Sequence, residues 1–294
     1  MPGWNVALPA AAALLMIAGV AVLALQRGGP PARCAPGMVA LGPRCCGDGQ
    51  RLEAGRCAGA PSRCGAGLTL TPGGCVAPGA SVRIAAGTLR LGPSDWEAQG
   101  IVDAHARTRE VFVPAFSLDA FEVTEQRYAT CVDAGACVPL PLRGEPGLPV
   151  TGIIVEEAAR FCAFAGGALP SRDQLSFAAA GPSGRRYPWG DTGAVCRRVA
   201  FGLRAGPCGW NATGPELAGA RPDGAAVHAA GRLFDLAGNV AEWAAPDRPG
   251  SEMSGTHGGS WADGAAAALR TWNRRLLPVS TRAPDIGFRC AYDR

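Results

Sequence analysis

The chain has 294 residues, of which 48% are hydrophobic, and it contains 42 glycines and 25 prolines. This composition supports a real core and predicts a loop-rich domain with short elements. The formal net charge is only +4, and the basic residues are scattered arginines without a lysine. Because a nucleic-acid-binding protein needs a basic stripe or patch, we predict no nucleic-acid partner.

Residues 1–33 have the pattern of a membrane segment. Residues 6–25 carry no charge, and twenty apolar residues are about the length needed to cross a hydrocarbon core of ~30 Å. A removable signal peptide is the alternative, because Val22, Leu23 and Ala24 resemble a small-residue cleavage site. The apolar run is longer than a usual signal sequence and no Arg or Lys precedes it, so we predict a single uncleaved transmembrane helix.

Residues 34–80 contain six of the twelve cysteines in a short repeat. Each unit has a leading Cys, a Gly three positions later and a closing Cys eleven positions later. The predicted disulfides are Cys34–Cys45, Cys46–Cys57 and Cys64–Cys75. Segments this short cannot bury a core, and covalent closure replaces one. Zinc is the rival interpretation, but no C-x-x-C pair or nearby His gives tetrahedral ligand spacing. Paired cysteines indicate an oxidising compartment, so we expect the soluble part to be periplasmic or extracellular.

The other six cysteines fall within residues 81–294. Thr124 is suited to N-cap a helix over 125–134, which Gly135 would end. Cys131 then lies in the last turns and Cys137 just beyond them, close enough for a local disulfide. A second helix is predicted over 156–165. Farther along, Cys196 and Cys208 flank a loop that they can close.

Six sequence blocks follow one another in residues 81–294. They are V-R-I-A-A-G-T-L-R-L-G from 82, D-A-F-E-V-T-E-Q-R-Y from 119, P-V-T-G-I-I-V-E-E-A-A-R-F-C from 149, Y-P-W-G-D from 187, L-F-D-L-A-G-N-V-A-E-W from 233, and G-G-S-W from 258 with G-F-R-C from 287. In this order they resemble the formylglycine-generating enzyme family, the sulfatase-modifying-factor domain. The resemblance implies an α+β, loop-rich, C-type-lectin-like fold, preceded here by the transmembrane helix and the short disulfide-rich segment.

The resemblance also indicates where the family's chemistry lies. Active members bind Cu(I) through two cysteines soon after G-G-S, because soft thiolates suit this ion. In this chain Asp263 and Ala268 occupy those two positions. Ser260 matches the serine beside the copper, and Trp243 matches the last Trp of the family's W-E-W, whose first Trp is replaced. We therefore predict a vestigial site without copper.

Calcium is better supported by the resemblance. In the family a turn of this sequence holds Ca²⁺, and by position its ligands become Asp235, the carbonyls of Gly238 and Val240, and Glu242. Hard oxygen ligands from one turn suit this ion. The alternative is that Asp235 and Glu242 only cap and hydrogen-bond the turn. The resemblance further implies that Cys162 pairs with Cys290 of the terminal G-F-R-C.

Two classes of function are compatible with these patterns. Loss of the thiolates favours an exported, membrane-anchored binding protein whose old active-site groove takes an unknown protein or small-molecule ligand. Aromatic and Arg side chains of the kind that anchor interfaces, together with Ser260, are predicted to line this groove: Trp189, Trp243, Ser260, Trp261, Trp272 and Arg289. The alternative is a periplasmic oxidase of the same family acting on a protein cysteine or another substrate. His257 is interpreted as a surface or turn residue.

Overall fold

The structure, a computed structural model, describes residues 38–41, 44–53, 56–64, 69–71, 74–76, 80–91 and 109–293. Three α-helices lie in the described part: α1 Glu125–Asp133, α2 Val155–Phe164 and α3 Arg172–Ala180. Its strands are short: β1 Met38–Leu41, β2 Arg44–Gly47, β3 Arg51–Glu53, β4 Arg56–Ala58, β5 Thr69–Thr71, β6 Gly74–Val76, β7 Ser81–Ile84, β8 Gly87–Leu91, β9 Arg109–Val113, β10 Phe116–Asp119, β11 Ala226–His228, β12 Gly231–Leu233, β13 Ala241–Trp243, β14 Met253–His257, β15 Arg274–Pro278, β16 Ile286–Gly287 and β17 Ala291–Tyr292.

The cysteine repeat corresponds to three small antiparallel hairpins, β1–β2, β3–β4 and β5–β6. The closing cysteine takes an equivalent place in each, because Cys45, Cys57 and Cys75 all lie on the second strand. Cys46 and Cys64 are disulfide-bonded. The predicted pairings Cys34–Cys45, Cys46–Cys57 and Cys64–Cys75 each include a side chain outside the described residues and stay predictions.

Two sheets organise the rest of the chain. Strands β17, β10 and β7 form one, and β15, β14, β13 and β16 form the other, in which β13 and β16 are parallel. The hairpin β8–β9 and helix α3 pack beside the first sheet around a core that includes Leu89, Phe116 and Phe177. Helices α1 and α2 cover a second core that includes Tyr128 and Phe288.

The helices begin where their capping residues require. Thr124 caps α1 by accepting a hydrogen bond from the backbone nitrogen of Arg127 at 3.3 Å, as predicted. Helix α2 begins at Val155, one residue before the predicted start, because Glu157 reaches back to accept from the backbone nitrogen of Ile154. These caps satisfy first-turn N–H groups that have no partner within a helix.

Three predicted disulfides are confirmed. Cys131 bonds Cys137, Cys196 bonds Cys208, and Cys162 bonds Cys290. The last joins α2 to the end of the chain across a sequence separation of 128. The described residues include no free cysteine.

In the part of the chain that the structure covers, no helix has the length and apolar character needed to cross a bilayer. The predicted anchor, residues 1–33, lies outside that part.

Candidate functional site

The segment after β14 contains Asp263, the position that the family resemblance assigns to the first copper ligand. One oxygen of Asp263, Oδ2, lies 2.8 Å from both the backbone nitrogen and the hydroxyl of Ser260, and it accepts hydrogen bonds there. The Ser260 hydroxyl is also 3.3 Å from an oxygen of Asp285. The carboxylate of Asp263 therefore holds the serine in place through hydrogen bonds.

Asp263 and Ala268, the two positions that the resemblance assigns to the copper ligands, line one cleft. Its volume is about 80 Å³, and its walls are Ala241, Thr256, Gly259, Asp263, Ala268, Asn273, Arg274 and Arg275. No described cysteine is free to offer a thiolate there.

Two arginines of β15, Arg274 and Arg275, add positive charge to the walls of this cleft. The sequence analysis did not assign them to the site. Arg274 forms an ion pair with Asp247 at 2.9 Å. The half-exposed Arg275 lies 3.5 Å from Asp285, which is longer than a strong charge-assisted hydrogen bond. The pair of adjacent arginines in T-W-N-R-R, from residue 271, is the sequence feature that could have pointed to them. The cleft therefore combines guanidinium and carboxylate groups.

The turn predicted to bind calcium is sharply bent. Asp235, Gly238 and Asn239 all have positive φ, at 54°, 75° and 56°. A Cβ on Gly238 would lie 2.4 Å from a Val199 methyl and 2.5 Å from the Ala200 carbonyl oxygen, so only glycine fits. The packed backbone accounts for the glycine at this position.

Glu122, which the sequence analysis did not assign to the site, holds the turn in place through hydrogen bonds. Its carboxylate accepts hydrogen bonds from the Asn239 side-chain amide at 2.7 Å and the backbone nitrogen of Val240 at 3.0 Å. Asp235 accepts a bond from the backbone nitrogen of Gly219 at 2.5 Å. The sequence offered no signal for Glu122, because nothing in it shows that residues 122 and 240 meet.

Glu242 has a partner that the calcium prediction did not include. Its two oxygens accept hydrogen bonds from Arg289 at 2.6 and 2.7 Å, and both side chains are buried. Arg289 also donates to the carbonyls of Asp119 and Phe234. This pair ties the turn to the C-terminal segment.

The buried charges around the turn do not balance. Four buried carboxylates, Glu122, Glu216, Asp235 and Glu242, accompany two buried guanidiniums, Arg221 and Arg289. Burial raises the pKa of Asp235 to about 6, and burial together with Asp235 and Glu242 raises the pKa of Glu122. The repulsion among these carboxylates can be relieved by protons, as the raised pKa values of Glu122 and Asp235 indicate, or by a bound cation.

The side chains at the turn supply too few ligands for calcium by themselves, so backbone carbonyl oxygens would have to complete the coordination. The described residues contain no group of three or more His, Cys, Asp or Glu side chains arranged to hold a metal. An ion would therefore rely on Asp235 and Glu242 together with the carbonyls of Gly238 and Val240, and would share Glu242 with Arg289.

The predicted groove needs correction, because most of its proposed walls are buried. Trp243, Trp261, Ser260 and Arg289 are each at most 1% exposed. The Trp243 indole donates to the Ile153 carbonyl at 2.9 Å, so its polar end is satisfied inside. These residues are part of the core and offer no surface to a ligand.

The other two tryptophans named for the groove are half-buried. Trp189 stacks on Tyr187, with ring centroids 5.1 Å apart. Trp272 packs against the first core, and the Arg270 guanidinium lies 5.7 Å from its ring centroid. Neither residue is among the walls of the cleft at Asp263.

His257 is buried rather than at the surface. It lies on β14 opposite Glu242, with 8% of its surface exposed. Both ring nitrogens lack a hydrogen-bond partner among the described residues. Burial and the nearby Arg274 and Arg172 lower the pKa of His257 to about 3. The ring is therefore neutral at physiological pH.

Comparisons with known proteins agree with this architecture. The mouse protein named inactive C-alpha-formylglycine-generating enzyme 2 is 31% identical over 163 residues, which are 51% of this chain and 51% of the mouse protein. The chain thus spans about half the length of the curated relatives it matches.

Two solved structures share the fold at identities too low to show more. The structure of PvdO from Pseudomonas aeruginosa has a TM-score of 0.54 and 19% identity, covering 73% of this chain and 94% of that one. Treponema denticola variable protein 1 has a TM-score of 0.51 and 18% identity, covering 73% and 95%.

The family model described as "Sulfatase-modifying factor enzyme 1-like domain" matches residues 72–294, starting somewhat before the predicted boundary at 81. That match covers most of the chain and includes Asp263, Ala268, the bent turn and the terminal G-F-R-C. The chain belongs to the sulfatase-modifying factor enzyme 1-like domain family.

Proposed function

We propose that this protein is a non-catalytic member of its family that binds a ligand at the former copper position. The observation that carries the proposal is the cleft lined by Asp263 and Ala268 in place of two cysteines. A methyl group cannot coordinate a metal, and a carboxylate is a hard ligand, whereas Cu(I) prefers soft sulfur. Arg274 and Arg275 also line the cleft and repel a cation.

The relatives support this proposal. The mouse and bovine proteins at about 30% identity are both named inactive C-alpha-formylglycine-generating enzyme 2. The chain covers half their length, so the name supports a shared loss of the copper chemistry and says nothing about a ligand.

The test is conversion of a peptide that carries C-x-P-x-R to its aldehyde, measured by mass spectrometry with Cu(I) and oxygen supplied. We expect no turnover. Asp263→Ala is the matched control, because it removes the carboxylate without providing a thiolate. Copper-dependent turnover by the wild-type protein would overturn the proposal in favour of an oxidase.

We also propose a calcium ion at the turn formed by Asp235, Gly238, Val240 and Glu242. The excess of buried carboxylates over guanidiniums supports it, because unbalanced buried charge is costly. Binding only to the folded state would stabilise it by about 2.7 kcal/mol at a hundredfold excess over Kd. The melting temperature should rise with calcium and fall with chelator.

Asp235→Asn is the preferred variant for this test. The amide oxygen can still accept from Gly219, so the turn keeps its hydrogen bond while the charge is lost. Glu242→Gln is less informative, because it also breaks the pair with Arg289. Identical thermal scans of the wild-type protein in calcium and in chelator would count against the ion.

We propose further that residues 6–25 anchor the protein in a membrane, with the remainder periplasmic or extracellular. The support is the uncharged run in the sequence and the disulfides, which persist in oxidising compartments. Membrane fractionation followed by carbonate extraction tests it. Release of the full-length protein into the soluble fraction would contradict it.

A further inference from the structure

The cleft at Asp263 is small, and its walls carry both negatively and positively charged side chains. Asp263 supplies a carboxylate, Arg275 supplies a guanidinium, and Ala241, Gly259 and Ala268 supply small apolar walls. We infer that this cleft binds the head group of a small α-amino acid, with the ammonium against Asp263 and the carboxylate against Arg275. This inference rests on the proposed binding function and names its ligand class.

The carboxylate of Asp263 has capacity for a ligand. Both of its hydrogen bonds to Ser260 go to a single oxygen, Oδ2. An ionised carboxylate can accept about four hydrogen bonds. An ammonium group can therefore bind Asp263 without breaking its bonds to Ser260.

Arg275 is similarly able to bind a carboxylate. Its side chain is 46% exposed, and its distance of 3.5 Å to Asp285 is too long for a strong charge-assisted bond. A guanidinium has five N–H donors in a planar fork that matches a carboxylate. A ligand carboxylate can thus bind Arg275 alongside Asp285.

The mixture of charges favours a zwitterion over a simple ion. Asp263 and Asp285, both in contact with Ser260, disfavour a ligand that is only an anion. Arg274 and Arg275 disfavour a ligand that is only a cation. A molecule with one ammonium and one carboxylate on the same carbon satisfies both sides.

The size of the cleft limits the ligand. Its volume of about 80 Å³ is several times the ~10–15 Å³ that one water molecule needs, so the cleft holds a group of a few heavy atoms. Glycine and alanine fit within this limit. The side chain of a larger amino acid would have to extend out of the cleft.

Isothermal titration with glycine, L-alanine, acetate and methylammonium tests the inference. We expect glycine and alanine to bind, each about tenfold more tightly than acetate or methylammonium, because each single ion lacks one charged contact. Equal affinity for acetate and glycine would overturn the inference in favour of a simple carboxylate site.

Two variants separate the contacts. Asp263→Asn should weaken glycine binding about tenfold while leaving acetate binding no weaker, because only the ammonium contact loses charge. Arg275→Gln should weaken glycine while leaving methylammonium no weaker. The exposed ion pair of Arg197 and Asp223 provides matched controls, Arg197→Gln and Asp223→Asn, which should change nothing.

Failure of this inference is distinguishable from failure of the proposed function. If glycine and alanine do not bind to the wild-type protein, or if neither cleft variant alters their binding, the ligand assignment is wrong. The non-catalytic proposal fails on different results, namely tight Cu(I) binding or copper-dependent aldehyde formation by the wild-type protein.

Discussion

The disulfide between Cys162 and Cys290 should be the most stabilising of the three in the domain. In the chain-entropy model its loop, with a sequence separation of 128, contributes about 5 kcal/mol. The loop of Cys196–Cys208, with a separation of 12, contributes about 3 kcal/mol, and that of Cys131–Cys137 contributes about 2 kcal/mol. We therefore predict that Cys162→Ala with Cys290→Ala costs about 2 kcal/mol more than Cys196→Ala with Cys208→Ala.

Burial adds to this difference. Cys162 and Cys290 are fully buried, so truncation to Ala also leaves a small cavity, at a cost on the order of 1 kcal/mol. The Cys196–Cys208 pair is partly exposed and should not add this cost. Urea unfolding followed by tryptophan fluorescence measures both variants against the wild-type protein.

The m-value provides an independent check on the mechanism. Opening the long loop lets the denatured chain expand and expose more surface, so the m-value should rise more for the Cys162 and Cys290 variant than for the control. Equal losses of stability in the two variants would refute the argument from loop length and would point to native-state contacts instead.

Three further predictions concern buried charges. Arg289→Met leaves Glu242 unpaired and should destabilise the domain by about 3–5 kcal/mol in urea unfolding; a loss below 1 kcal/mol would contradict the pairing. Because folding raises the pKa of Asp235 from 3.8 to about 6, the stability contributed by its bound proton is complete below pH 3.8 and is lost as pH rises through about 6. Above that pH, calcium can replace the proton. Calcium should therefore raise the melting temperature more at pH 7.5 than at pH 5, and Asp235→Asn should remove this difference. Because the pKa of His257 is lowered to about 3, its contribution to stability is present above pH 6.5 and is lost as pH falls toward 3. His257→Gln should reduce the acid-side slope of the unfolding free energy against pH by up to about 1.4 kcal/mol per pH unit. The effect should be larger than that of the control His228→Gln. An equal or smaller effect would show that His257 is not buried in its neutral form.

Much of the domain was predictable from local sequence. Thr124 and Gly135 bracket α1 because capping depends on neighbouring residues. The equal spacing of the N-terminal cysteines predicts a repeated unit, and each unit contains one of the three small hairpins. The family pattern gave the Cys162–Cys290 disulfide, which no local rule could supply because the two residues are distant in sequence.

The errors came from long-range packing. Tryptophan and arginine were assigned to the groove because they often anchor interfaces, but Trp243 and Arg289 find hydrogen-bond partners within the core and are buried there. His257 was interpreted as a surface or turn residue from its position just before Gly258, but it is buried on β14. Glu122 was missed because its partners, Asn239 and Val240, are more than a hundred residues away.

Cu(I) titration against a chromophoric Cu(I) chelator tests the central claim most directly. The wild-type protein should not compete with the chelator, because Asp263 and Ala268 replace the two thiolates. The Asp263→Cys and Ala268→Cys double variant, prepared with its other disulfides intact, should regain competition if the cleft has kept the family's geometry. One equivalent of Cu(I) bound tightly by the wild-type protein would contradict the non-catalytic account.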